Sequence, residues 1–480
     1  MVSNDTGHFN ICDFGAVSDG KTNCSTAINS AIEACCEKGG GTVYFPSGQY
    51  LTGAIQLKSN LTLSFGAGAR VLFSQKTDDY PVVASRWEGV ECDVYAPMIY
   101  GENLENVTIT GRGVLDGQGE TWWQQFRDNK LDYPRPRFIG FDNCQNILIE
   151  GITLINSPSW TINPVCCTNL TVEKVTIINP ANSPNTDGIN PDSSKNVHIA
   201  NCHIDVGDDC IAIKSGTERS NKRVPCENIT ITNCTMAHGH GGVVIGSEMS
   251  GGVRNVVISN CVFEGTDRGI RLKSRRGRGG VVEDIRVDNI IMKEVITPFA
   301  VNLYYFCGDG GKEPKVSDKN PYPVTLETPL FRRIHFSNIT AREVSATAGF
   351  IFGLPEQPVS EITFDNITIS MAKKATPGYP DMLSGQEPLA KQGFFCCYTR
   401  NIMFRNIHIS ENEGPVFSIH KSQAIDLFKC ISDESDPENR VILLSDIGRG
   451  SIRGCNIGKE QGQILKITGI NNQLDLEENN

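Results

Sequence analysis

A short phrase returns along the chain and limits its fold more than any other feature. It reads Asn106-Val-Thr-Ile-Thr, Asn146-Ile-Leu-Ile-Glu, Asn169-Leu-Thr-Val-Glu, Asn196-Val-His-Ile-Ala, Asn228-Ile-Thr-Ile-Thr and Asn255-Val-Val-Ile-Ser, with weaker copies at Ile285, Ile334, Ile362 and Ile402. Starts fall about 23 to 32 residues apart, with longer gaps where loops intrude. Each phrase alternates apolar and polar residues and is rich in β-branched types, the pattern of a short strand with one buried face. A short strand recurring at this period indicates a solenoid. A second phrase follows directly at Asn201, Asn233, Asn260, Asn289, Asn338, Asn366 and Asn406. Asparagine tolerates left-handed backbone and bonds locally, so it suits a tight bend between strands. Stacked rungs then align these amides into a ladder. Cys202, Cys234 and Cys261 occupy the slot that isoleucine fills elsewhere and read as small core residues.

One helix is clear. Asn23 or Ser25 can cap it, Ala27, Ile28, Ala31, Ile32 and Cys35 form its apolar stripe, and Gly39-Gly40-Gly41 ends it. A solenoid needs its terminal core covered, and this helix is expected to seal the N-terminal end. The 480 residues are therefore expected to form a single domain, a right-handed parallel β-helix over 1–480, and not the roughly three domains that length alone suggests. Long insertions at about 74–97, 117–137, 306–330 and 371–395 interrupt it. Insertions in repeats collect on the binding face.

The net charge of −11 disfavours general binding of nucleic acid or anionic membrane, whose phosphates a negative field repels. No apolar run reaches the length of a membrane span. Met1 to His8 is polar and lacks the apolar core of a secretory signal, so a cytoplasmic location is expected. The 18 cysteines include no C-x-x-C, and buried reduced thiols are expected instead of zinc or disulfides. The sequons at Asn106, Asn169, Asn228 and Asn338 read as by-products of a repeat built from Asn-Ile-Thr. No metal or cofactor is expected.

Three successive rungs align without gaps on Asn201, Asn233 and Asn260. Asp208 then stacks with His240 and Asp267, and Ile213 with Ile245 and Leu272. If those apolar residues point inward, Ala212, Val244 and Arg271 point outward, as do Lys214, Gly246 and Lys273. Asn185-Thr186-Asp187-Gly188-Ile189 aligns with the preceding step and brings Asp187 beside Asp209. Asp187, Asp208, Asp209, His240, Arg271 and Lys273 are thus expected on one face within about 15 Å. Carboxylates a few ångströms apart raise one another's pKa, so one stays protonated while others ionise. A general acid beside a general base is what glycoside hydrolysis requires. His238-Gly-His240 lacks further nearby ligands for a metal.

The pieces Asn185-Thr186-Asp187, Gly207-Asp208-Asp209, Gly239-His240-Gly241 and Arg271-Leu272-Lys273 resemble glycoside hydrolase family 28, the polygalacturonases. The resemblance covers about residues 8–410, and beyond 411 extra rungs and an acidic tail are expected. It implies an inverting hydrolase of α-1,4-galacturonan. Asp208 would be the general acid, Asp187 and Asp209 would activate water, and His240 would tune the acid. Arg271 and Lys273 would bind the galacturonate carboxylate, with Asn185 also on the substrate. Of Tyr304 and Tyr305, Tyr305 is preferred as the family tyrosine. An inverter of this kind calls for carboxyl groups about 6.5–9.5 Å apart. The stretches Arg86-Trp87-Glu88 and Trp122-Trp123 to Arg135-Pro136-Arg137 resemble bacterial exo-acting members. There Arg86, Trp87, Glu88, Trp122 and Arg137 would contact the terminal sugar, while Trp123 serves equally well as loop packing. Six basic residues within 268–278 put positive charge where a galacturonate would lie. Endo action, a substituted pectin, β-elimination with Arg271 or Lys273 as base and calcium as helper, and a non-catalytic glycan-binding solenoid remain as alternatives.

Overall fold

The computed structural model describes residues 7–433, 441–456, 465–469 and 472–477. Most of the polar N-terminal segment and the end of the acidic tail lie outside the described residues. The chain forms two compact units, Met1–Thr235 and Met236–Asn480.

The first unit is a parallel β-helix with three strands per coil. One face stacks His8–Asn10, Gly41–Phe45, Leu61–Phe65, Glu105–Gly111, Gln145–Glu150, Thr168–Glu173, Lys195–Ala200 and Cys226–Thr232, all parallel. The next runs from Gly48–Thr52 through Ala69–Phe73, Val114–Asp116, Thr153–Ile155 and Thr176–Ile178 to His203–Asp205. The third stacks Ile55–Gln56, Ile99–Glu102, Ile139–Asp142 and Ile162–Val165, and single bridges carry it through Ile189 to Ile211. Alternation decides which side is core: Val107 and Ile109 sit in register with Ile147 and Ile149, and all four are buried. Each such side chain contributes about 1.5–3 kcal/mol by leaving water.

The asparagines mark the bends. Asn106, Asn146, Asn169, Asn196 and Asn228 all have φ between 56° and 58°. Each donates its side-chain amide to the asparagine one coil earlier, at 2.9–3.1 Å, beginning with Asn60. The amides of Asn106, Asn146, Asn169 and Asn196 both donate and accept, so the ladder satisfies polar groups that a bend would otherwise leave open.

The helix Ser25–Glu37 buries the expected stripe of Ala27, Ile28, Ala31, Ile32 and Cys35. Asn23 Oδ1 accepts from the Ser25 amide at 2.9 Å, and the amides of Gly39 and Gly40 close the other end on Cys36 and Cys35 carbonyls. The helix packs on strands of the first coils, including His8–Asn10 and Gly41–Phe45. A second helix, Glu120–Arg127, lies inside the 117–137 insertion, which the sequence left as a loop. Its eight residues are too few for a clear 3.6-residue period.

The second unit is also a parallel β-helix. Its long strands Val253–Glu264, Val281–Lys293, Leu330–Val344, Val359–Met371 and Thr399–Ser410 stack in parallel. Left-handed Asn260, Asn289, Asn338, Asn366 and Asn406 fall at matching places within them. A second sheet stacks Gly241–Ile245, Arg268–Lys273, Thr297–Asn302, Thr347–Phe352, Gln392–Cys397 and Phe417–Ser422. Further rungs at Ile442–Ile447, Leu465–Thr468 and Leu474–Glu477 continue past 411. Inside, Phe336, Phe364 and Phe404 stack at 4.8 and 5.0 Å.

All 18 cysteines are free thiols. Cys202, Cys234 and Cys261 are buried, and each thiol donates to the carbonyl two residues earlier.

Candidate active site

In the first unit three carboxylates converge. Gly188 and Ile189 donate their amides to the Asp209 and Cys210 carbonyls, which sets Asp187 beside Asp209 as the sequence register requires. Asp208 sits at the turn before the buried strand Asp209–Ile213. That turn needs Gly207, because a Cβ there would stand 2.6 Å from the Pro180 carbonyl oxygen. Asp187 and Asp209 are buried and Asp208 is half-buried. One oxygen from each lies within 4.8 Å of the others. This is tighter than the separation of about 6.5–9.5 Å expected for a two-carboxyl inverter. Carboxyl groups this close favour keeping a proton among them. Burial, followed by the charge of Asp208, pushes the Asp187 carboxyl well above its ordinary range. A divalent cation could touch all three oxygens and would displace any proton held there.

A residue that the sequence left without a role completes this group. Lys214 is buried, its Nζ stands 3.8 Å from Asp187 Oδ2, and Asn190 Nδ2 donates to the same oxygen at 2.9 Å. The ammonium also lies 4.7 Å over the Trp160 ring, which stacks on Trp87 at 4.6 Å. The only sequence signal for Lys214 was its outward parity. Trp87 belongs to the antiparallel hairpin Val82–Trp87 and Val90–Tyr95, with exposed Glu88 at its tip.

Several loop assignments change. Arg86 is buried and bonds Asp192 at 2.8 Å and Glu91 at 2.9 Å, so its charge is engaged by the protein. It fastens the hairpin and does not meet a terminal sugar. Arg137 is buried as well and donates to Asn163 Oδ1 at 2.7 Å, with no face open to ligand. Trp122 is fully buried against Tyr80 and Tyr95, so it cannot stack on a sugar. Trp123 is loop packing, its indole donating to the Ser157 carbonyl at 2.9 Å. Arg135 is the arginine turned toward the carboxylates. It donates to Asn185 Oδ1 at 2.7 Å, and burial holds it down to about 10 against the pull of Glu88, Asp187 and Asp208.

In the second unit His240 and Asp267 occupy the matching rung positions of the sequence alignment, and His240 Nδ1 lies 2.9 Å from Asp267 Oδ2. Burial alone would raise Asp267, but the His240 bond and the Arg268 charge hold it below its ordinary range. Arg271 and Lys273 lie in the buried strand Arg268–Lys273. Both cations approach one ring: Arg271 lies 5.4 Å and Lys273 5.2 Å from the Tyr305 centroid. Tyr304 is buried elsewhere, with Lys319 Nζ 3.3 Å over its ring. Tyr305, and not Tyr304, is the tyrosine beside Arg271 and Lys273.

Asp381, in the 371–395 insertion, was not found from sequence. Its Oδ1 accepts from Arg271 Nε at 3.0 Å and Nη2 at 2.5 Å, and the Met382 amide donates to the same oxygen. Burial would raise its pKa, but Arg271 and Arg268 hold it below the usual range. No repeat register reaches this loop, so nothing in the pattern marked it. The basic stretch 268–278 is also less available than its composition implied. Arg276 pairs with buried Glu356 and bonds the carbonyls of Lys315 and Asp318, and Arg275 bonds those of Arg276 and Asp309.

Known proteins give the same picture. The sequence profile of glycosyl hydrolases family 28 matches residues 35–378. A probable polygalacturonase of Vitis vinifera is 37% identical over 377 residues, covering 76% of this chain and 74% of the relative. An endo-polygalacturonase of Pectobacterium carotovorum is 33% identical over 331 residues, 65% of this chain and 79% of the relative. The crystal structure of a hyperthermoactive exopolygalacturonase from Thermotoga maritima superposes with a TM-score of 0.68 at 34% identity, covering 83% of this chain and 91% of that one. With the family motifs on the strands and turns just described, the chain belongs to family 28 of the glycosyl hydrolases.

Proposed function

We propose that this glycoside hydrolase cleaves α-1,4-galacturonosidic bonds and removes galacturonate from the non-reducing end of pectic oligomers. The observation that carries the proposal is the cluster of Asp187, Asp208 and Asp209, one oxygen of each lying within 4.8 Å of the others. Asp208, the most accessible of the three, donates its proton to the glycosidic oxygen. Asp187 holds the attacking water and Asp209 takes its proton, so the product is inverted. His240 is assigned to tuning the acid. Arg271, Lys273 and Tyr305 are assigned to the galacturonate carboxylate, with Asp381 orienting the Arg271 guanidinium.

Exo action is favoured by the likeness to the Thermotoga maritima exopolygalacturonase over most of both chains. The 74–97 and 117–137 insertions also support it. They carry a hairpin and a helix held by buried side chains, a build suited to a fixed wall. Product analysis on trigalacturonate and polygalacturonate tests the reading. Monomer alone at early times, saturated, first seen as the β anomer and unaffected by chelator, is the expected result. A ladder of mixed sizes contradicts exo action, an α anomer contradicts inversion, and chelator-sensitive unsaturated product indicates a lyase.

A further inference from the structure

The insertion 371–395 is fastened to the strands that carry the proposed carboxylate-binding residues. Leu383 forms an antiparallel bridge with Tyr305, and Asn302 Nδ2 donates to the Met382 carbonyl at 3.0 Å. Arg268 donates to the carbonyls of Tyr379 and Pro380 at 2.8 and 3.2 Å. Arg271 holds Asp381. Four attachments fix this loop, and a cavity of about 710 Å³ is lined by it together with Arg268, Phe306 and Lys312. Pockets that bury small ligands span about 300–1,000 Å³.

The walls carry the chemistry of an acidic sugar. Arg268, Phe306, Lys312, Tyr379, Asp381 and Gln386 line the cavity. Tyr379 is 55% exposed. Lys312 is also exposed and forms no ion pair among the described residues. An aromatic face can lie against the C–H side of a pyranose, while an ammonium pairs with a carboxylate and gains a charge-assisted hydrogen bond. A neutral sugar would use the tyrosine and leave the lysine idle.

We propose that this cavity is a further uronate subsite. It takes the galacturonate beyond the leaving-group sugar held by Arg271 and Lys273, with Lys312 on its carboxylate and Tyr379 against its ring. The inference rests on the exo reading: when only the terminal sugar is released, every added sugar extends on the leaving-group side. The subsite then makes the enzyme prefer longer oligomers to the dimer.

The test is the ratio of kcat/KM on trigalacturonate to that on digalacturonate. In the wild type it is expected to exceed unity by about tenfold, the worth of one charge-assisted contact. Lys312→Met and Tyr379→Ala each bring the ratio down several-fold, and methyl esterification of the trimer's reducing-end carboxyl does the same to the wild type but not to Lys312→Met. Equal kcat/KM on both oligomers, or a ratio that neither substitution moves, overturns the subsite while leaving the hydrolase reading intact. Absence of turnover on either oligomer overturns the functional reading and the subsite together.

Discussion

Lys214 Nζ stands 3.8 Å from Asp187 Oδ2, and both side chains are buried. The ammonium brings one positive charge to three carboxylates, and it opposes the upward push that burial and Asp208 exert on Asp187. Lys214→Met removes the cation and keeps much of the stem. Every carboxylate in the cluster then binds its proton more tightly, and the pH profile of kcat/KM moves to higher pH by about one unit. A purely structural lysine would lower activity at all pH values without moving the profile.

The same cluster costs stability. Asp187 has a raised native pKa, so it favours the folded state most below its ordinary value of 3.8 and loses that contribution as pH rises through the native value. Asp187→Asn carries no charge at any pH. It is expected to abolish hydrolysis and to raise Tm, with a gain that grows above pH 3.8 and levels off past the native pKa. Thermal unfolding at several pH values checks this. A lower Tm at neutral pH contradicts it.

The Arg271–Asp381 pair titrates with the opposite sign. Asp381 is held below its ordinary value of 3.8, so its contribution is complete above that pH and is lost as pH falls through the native pKa. Asp381→Asn leaves a buried guanidinium without its counter-ion and is expected to cost about 3–5 kcal/mol at neutral pH. The gap from wild type narrows below pH 3.8, where the native carboxylate also takes up a proton. Urea unfolding across this range measures it. A pH-independent gap contradicts the assignment.

What the sequence could disclose follows from where a repeat constrains a residue. Asp187, Asp208, Asp209 and the His240–Asp267 pair lie on or beside rungs, so counting from the ladder asparagines located them. Lys214 lies on a rung as well, but one outward lysine looks like any solvated lysine until the Trp160 ring and Asp187 are seen around it. Arg86, Trp122, Arg137 and Asp381 belong to insertions, where no period states which way a side chain turns. The resemblance to exo-acting members made the first three look like ligand contacts, and burial makes them structural. The basic run 268–278 misled for a related reason. Its charge is partly neutralised by Glu356 and by backbone carbonyls that no pattern predicts.

Arg86 is a test of that distinction. It joins the hairpin to Asp192, Ser193, Ser220 and the Lys222 carbonyl. Arg86→Ala is expected to cost about 3–5 kcal/mol, since Asp192 is left buried without its cation. Limited proteolysis is then faster within 82–95. Unchanged stability with a raised KM would restore Arg86 to the substrate.

The most direct measurement is turnover of polygalacturonate by Asp208→Asn beside the wild type, with thermal unfolding run on the same preparations. The account predicts that the wild type releases saturated galacturonate. The variant, folded and of similar Tm, loses about 10²–10⁴-fold in kcat, the usual worth of a general acid. A folded Asp208→Asn protein that turns over at the wild-type rate contradicts the assignment of the acid and the mechanism built on it.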